Sequence, residues 1–163
     1  MADVFEVPGA AWTSVSPRLS AVRLITLGSV TVLALAVIAA AARLLPDLSR
    51  AAGIAAVVLL VAAVVAAFAI VRNARSWAYA ERVDDLYIRR GVSFVRLEVV
   101  PYGRMQLVDV KVGPLARRFG IADVTLHTAS PDTNARIVGL PFAEAERLRD
   151  RLTALGEAQA AGL

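Results

Sequence analysis

The chain has 163 residues, of which 58% are hydrophobic and 20% charged, with a formal net charge of +4 and a mean hydropathy of +0.62. Cysteine is absent and histidine occurs once, which excludes disulfides, cysteine nucleophiles and Cys/His zinc sites and leaves a Ser-His-Asp hydrolase poorly supplied. The apolar excess lies between Leu24 and Val71, a distribution that belongs to membrane proteins and not to one ordinary soluble domain.

Residues 1–23 form an N-terminal tail with arginines at Arg18 and Arg23. Two uncharged runs follow, Leu24–Ala42 and Ala51–Val71. As helices they reach roughly 28 and 31 Å, the thickness of a bilayer core. The second run carries no charge and so meets no insertion penalty of about 2.5–3.5 kcal/mol anywhere along it. Soluble core helices rarely lack a polar face for so long, and a signal-peptide apolar region is typically shorter, about 7–15 residues. Residues 43–50, with Pro46, form a tight external connector, so 24–71 reads as a two-span hairpin. Five flanking arginines (Arg18, Arg23, Arg72, Arg75, Arg82) stand against two in the connector (Arg43, Arg50). That excess places both termini in the cytoplasm and the chain in the inner membrane. Trp12 and Trp77 lie near the cytoplasmic ends. Trp77 reads equally as a headgroup anchor or as the first core residue of the next domain. Neither span holds an acid, base or histidine, so a pump or transporter made from this chain alone is not expected. Thr26, Ser29 and Thr31 can bond back to their own helix.

Charge returns at Arg72, where a soluble domain over 72–156 begins, and the apolar period shortens to two. Trp77 and Tyr79 alternate with Ala78 and Ala80, and Asp84-Asp85 marks a turn. Strands are expected at Leu86–Arg90 and Val92–Val100, split by Gly91, then Gln106–Gly113, Ile121–Thr128 and Ala135–Val138. Breaks fall at Pro101-Tyr102-Gly103, Gly113-Pro114 and Pro131–Asn134. The period then switches to helical. Pro141 suits a first helical position, and Phe142, Ala145, Leu148, Leu152 and Leu155 share one face. Gly156 is expected to end the helix, leaving 157–163 as a flexible tail. The fold class is a membrane helical hairpin plus an α+β domain in which a bent β-sheet, or partly open barrel, is capped by a C-terminal helix.

The stretch Val100-Pro101-Tyr102-Gly103-Arg104-Met105-Gln106, then Val108-Asp109-Val110 and Gly113–Ile121, resembles the bacterial pleckstrin-homology (PH) domain of YdbS-like membrane proteins. Thr128-Ala129-Ser130, Ile137–Leu140 and Glu144-Ala145 extend the likeness, and the preceding hairpin matches that family's layout. Met105 stands where the family usually has isoleucine. The resemblance implies a seven-stranded, strongly bent sheet closed at one end by the C-terminal helix. It implies a membrane-anchored interaction module, with some links to envelope stress or bacteriocin tolerance. Likeness to eukaryotic PH domains does not carry phosphoinositide binding with it, and Asp84-Asp85 at the corresponding turn would repel a phosphate.

Residues 72–118 hold ten basic against five acidic side chains, whereas 119–163 hold four against six. Arg89, Arg90, Arg104, Arg117 and Arg118 form the candidate partner or lipid surface. A basic face near a bilayer is drawn to anionic lipid by about 1 kcal/mol per residue, or it is a solvated face that keeps the domain oriented. Arg104 reads either as a carboxylate or headgroup binder or as a structural arginine paired with an acid such as Asp109. His127 projects to the polar side of its strand. There is no phosphate loop, nucleotide fingerprint or HExxH motif, and no groove-reading or stacking motif that would indicate nucleic acid. The expectation is a non-enzyme without catalytic, cofactor or metal sites. It would be an adaptor or scaffold that binds the bilayer and either another membrane protein or a copy of itself. The alternative is a peripheral sensor of anionic lipid headgroups working through the 72–118 face.

Overall fold

The computed structural model describes residues 11–128 and 134–161. The chain divides into two compact units, residues 20–72 and a second unit made from Asn73 onward together with the residues up to Leu19.

The first unit is helical. Helix α1 (Arg18–Leu44) and helix α2 (Ser49–Arg75) are joined by a 3-10 turn at Pro46–Leu48. Pro46 lacks an N–H and cannot continue α1. The turn closes instead on the Leu48 N–H, which donates to the Leu45 carbonyl at 2.9 Å. Both helices are long and apolar enough to cross a membrane. Their apolar side chains are exposed along the whole length, Val32 and Leu33 at 68% and Val64 at 70%. In water such an array has no partner, whereas hydrocarbon solvates it. The hydroxyls of Thr26, Ser29 and Thr31 donate to the carbonyls of Val22, Ile25 and Leu27, at 3.1, 2.9 and 2.8 Å. Each polar group is thereby satisfied within its own helix.

The second unit has seven strands among the described residues. Strands β1 (Thr13–Ser14), β2 (Ala78–Glu81), β3 (Asp85–Arg90) and β4 (Arg96–Pro101) form one antiparallel sheet in that order. Strands β5 (Met105–Lys111), β6 (Ile121–Thr128) and β7 (Ala135–Pro141) form a second. A 3-10 turn at Tyr102–Arg104 leads from β4 into β5, a short helix α3 (Pro114–Arg118) links β5 to β6, and helix α4 (Phe142–Ala161) packs on β5, β6 and the 3-10 turn. The core is drawn from both sheets and α4: Leu86, Ile88, Tyr102, Val124, Leu126, Leu140, Leu148 and Leu152 are fully buried. Ala145, Leu148 and Leu152 are the buried stripe that the spacing of three and four requires.

Several boundaries differ from those the sequence suggests. Residues 11–19 are not a tail. Thr13 and Ser14 pair with Tyr79 and Ala78, the Ser16 N–H donates to the Gly139 carbonyl at 3.0 Å, and Val15 and Leu19 are buried. Gly139 has φ +69°, and a Cβ there would stand 2.8 Å from the Leu19 side chain, so both its backbone and its neighbour require glycine. Strand β4 begins at Arg96, because Gly91 at φ +104° turns the chain and residues 92–95 form the hairpin tip. Asp84 lies in the β2–β3 turn as expected, and Asp85 both opens β3 and closes that turn, its carbonyl accepting from the Arg82 N–H at 2.9 Å. Pro114, and not Pro141, takes a first helical position, behind Gly113; Pro141 closes β7. Gly156 lies inside α4, which runs on through 157–161, so that stretch is helical. The expected loop at 131–133 and the last two residues of the tail lie outside the described residues.

Candidate functional site

Charge is organised first where β2 meets α4. Tyr79 and Glu81 lie two apart on β2 and so share a face, while Glu144, Arg147 and Arg151 recur at helical spacing on α4. The Tyr79 hydroxyl donates to Glu144 Oε1. Arg147 donates to Glu144 through Nε at 3.0 Å and through Nη2 at 2.7 Å, and the same Nη2 reaches Glu81 Oε1 at 2.5 Å. Arg151 Nε stands 3.0 Å from Glu81 Oε2. That oxygen is buried and accepts no hydrogen bond, so the contact with Arg151 is an ion pair off the hydrogen-bonding direction. Hydrogen bonds from Arg147, with that of Tyr79 behind them, hold the Glu144 carboxyl below its usual range against the opposing effect of burial. Burial, followed by the Glu144 carboxylate, pushes the Tyr79 phenol well above its ordinary value. Arg147 is raised chiefly by its bonds to Glu144 and Glu81. Tyr102 is raised by burial and then by Glu81, and its hydroxyl donates to the Arg82 carbonyl at 3.0 Å. These groups are paired with one another. Their arrangement fastens α4 to the first sheet and leaves no poised acid, base or nucleophile among them.

The five arginines of the candidate surface fall into three places. Arg89 and Arg90 end β3. Arg89 stacks over the Trp12 ring at 5.0 Å, and Arg90 stacks over Trp77 at 5.4 Å while pairing with Glu98 at 2.5 Å. Trp77 is 7% exposed and donates from Nε1 to Asn73 Oδ1 at 3.4 Å, which decides for the core reading of that residue. Arg104 is in the 3-10 turn beyond Pro101, the residue that pairs with Asp85. It therefore sits at the opposite end of the β3–β4 ladder from Arg90, about 17 Å away along the strands. Arg104 is exposed and forms no ion pair among the described residues; Asp109, its expected partner, pairs with Lys111 Nζ at 3.1 Å. Arg117 and Arg118 are exposed on α3. The C-terminal end of α3 is held by Arg18, whose Nη1 donates to the Phe119 carbonyl at 3.2 Å. Two of the three groups thus border residues that flank the apolar segment: Arg117-Arg118 by Arg18, and Arg89-Arg90 by Asn73 and Trp77.

A cavity of about 280 Å³ lies between β5 and α4, lined by Met105–Val108 with Leu152, Thr153, Gly156 and Glu157. Strand β5 is the edge of its sheet, and Leu107 on it is 59% exposed. An edge strand presents unpaired backbone groups. The sequence carried no sign of this groove, since edge position is a property of strand order. His127 is half-buried on β6, and the described residues hold no cluster of His, Cys, Asp or Glu suited to a metal.

Comparison with known proteins agrees with this architecture. The chain is 34% identical over 105 residues to the UPF0699 transmembrane protein YdbS of Bacillus subtilis (strain 168), a match covering 63% of this chain. It spans 64% of that relative's length. No solved structure matches. The profile of the bacterial PH domain family matches residues 19–155, which takes in both apolar helices and almost all of the β-rich unit, and the chain belongs to that family, as a membrane protein of the YdbS-like kind.

Proposed function

We propose that the chain is a non-enzymatic adaptor: two membrane-spanning helices hold the PH-like unit at the cytoplasmic face of the inner membrane, and that unit engages another membrane protein. The orientation is supported by the arginine excess on the flanks of the spans. That both flanks lie on one side is supported by the way one folded unit takes in chain from both sides of the apolar segment, which demands an even number of crossings. The observation that carries the adaptor reading is the open edge of β5 beside the α4 groove. An extended polypeptide segment can add to that edge by main-chain hydrogen bonds and place alternate side chains in the cavity. Confinement to the membrane plane raises the effective concentration toward partners and makes weak docking sufficient.

A photo-crosslinking residue at Leu107, in the full chain in its native membrane, tests this. The expected result is an adduct with a second polypeptide that weakens when Gln106→Pro, at the residue the β5–β6 register skips, disturbs the edge. Adducts with lipid alone, or none, would overturn the reading. Self-crosslinking would identify the partner as a second copy.

A lipid-sensing role is the second reading. Arg117-Arg118 by Arg18, and Arg90 by Asn73, favour it, because Arg18 and Asn73 flank the apolar segment in the chain.

A further inference from the structure

The hairpin tip between β3 and β4 carries two adjacent exposed apolar residues. Phe94 is 92% exposed, so its ring stands in water, and Val95 beside it is 38% exposed. The tip is nevertheless anchored. The Gly91 N–H donates to Ser76 Oγ at 3.1 Å, and Ser76 Oγ in turn donates to the Asn73 carbonyl at 2.8 Å. Gly91 at φ +104° brings the chain so close that a Cβ there would meet the Phe94 carbonyl oxygen at 2.0 Å. The phenyl ring is therefore presented on a tightly folded support, at little further loss of freedom on binding.

Its surroundings are cationic. Arg96 lies directly opposite Arg90 in the ladder, a like-charge pair that is unfavourable in isolation. Glu98 and the Trp77 ring occupy Arg90. Arg96 is exposed and forms no ion pair among the described residues. Asn73 and Trp77 line one cleft together with Arg90, Phe94, Val95 and Arg96. Ser76, the base of the tip, follows Arg72 by only four residues, about 6 Å of helix. The tip is thus hydrogen-bonded, through Gly91, to a residue five positions beyond Val71, the end of the apolar run.

We infer that the β3–β4 tip is a bilayer contact in its own right: Phe94 and Val95 enter the acyl–headgroup boundary, and Arg96 pairs with the phosphate of an anionic lipid. An apolar ring below a cation that reaches back to the headgroups is the arrangement that interfacial segments adopt. Charge complementarity chooses an anionic bilayer over a protein partner, because a free arginine above a membrane meets phosphates whatever protein is present. This inference rests on the spanning of the membrane by α1 and α2, and deepens the second reading by adding Phe94, Val95 and Arg96 to the lipid surface.

The chain has no cysteine, so single labels are unambiguous. A nitrobenzoxadiazole probe is attached through Phe94→Cys, Val83→Cys or Val64→Cys in the full chain. Each protein is reconstituted in nanodiscs of phosphatidylcholine with phosphatidylglycerol, with nitroxide-labelled lipid or aqueous iodide as quencher. Val83 is 84% exposed in the β2–β3 turn and reports water; Val64 is 70% exposed on α2 and reports hydrocarbon. The expected result is strong lipid quenching at positions 64 and 94 and strong iodide quenching at 83. Arg96→Glu, or pure phosphatidylcholine, is expected to cut lipid quenching at position 94 to about a fifth, the factor equivalent to one basic contact. Lipid quenching at 64 with free iodide access at 94 overturns the inference and leaves the spanning helices intact. Shielding of 94 from both quenchers overturns it in favour of a polypeptide over Phe94. No lipid quenching at 64 removes the membrane reading and this inference with it.

Discussion

At the residue scale, the junction of β2 with α4 sets how the domain answers to pH. Glu144 is held ionised by Arg147, so its folded-state pKa lies below the unfolded value. The stabilisation is fully present above about pH 4.5, the ordinary value of a glutamate, and is lost as the pH falls through the lowered folded value. Tyr79 has the opposite sign. Its phenol is raised from 10.0, so its contribution is whole below pH 10 and fades as the pH rises toward the folded value. Denaturant unfolding of the detergent-solubilised protein at several pH values is expected to show both limbs. Glu144→Gln flattens the acid limb, and Tyr79→Phe flattens the alkaline one at a loss of about 1 kcal/mol near neutrality. An unchanged acid limb in Glu144→Gln would assign the acid sensitivity to other carboxylates. None of this pairing was legible in the sequence. Tyr79 and Glu144 are 65 residues apart, and no local period reports which strand a helix face will meet.

At the element scale, α4 shows what periodicity can and cannot give. Its buried face was readable because apolar side chains three and four apart admit one amphipathic solution. Its end was not. Gly156 is a common terminator by composition, yet here it continues the helix past the 3-10 turn, and a Cβ at this position would meet only the Tyr102 carbonyl oxygen, at an ordinary contact distance of 3.8 Å. Helical backbone and open space together make Gly156→Ala stabilising, by about 0.5–1 kcal/mol. A thermal melt of the full chain in detergent checks this, and a lower midpoint would mean that α4 presses closer on the turn than 3.8 Å implies. The β5–β6 connection illustrates the same limit. Gly113-Pro114 announces a turn, and Pro114 is also well suited to start a helix. Only the space over β6 decides that one short helix, α3, forms there.

At the scale of the whole molecule, the two apolar runs were unmistakable, since some twenty successive uncharged residues have few uses outside a bilayer. The interleaving of the β-rich unit around them was hidden. Strand β1 has two residues, too few for any alternation to register, and its partner β2 lies beyond both helices. The unit therefore depends on its leading residues. A fragment covering residues 73–163 lacks Val15 and Leu19 and leaves the Gly139 carbonyl without its donor. Against a chimera in which residues 11–19 are joined to residue 73 by a flexible linker, that fragment is expected to be less stable by about 3 kcal/mol, the burial of one valine and one leucine. Urea unfolding of the two soluble proteins measures the difference, and equal midpoints would show β1 to be dispensable.

The split sheet also orders events in time. Synthesis releases β1 long before β2 exists, so the first strand waits unpaired while both hydrophobic stretches are threaded into lipid. A molecule in which only one of the two spans crossed would leave that strand across the bilayer from its mate. Strand β2 would then keep a bare edge, and the Gly139 carbonyl would lose its Ser16 donor, so the fold is complete only when both spans have crossed.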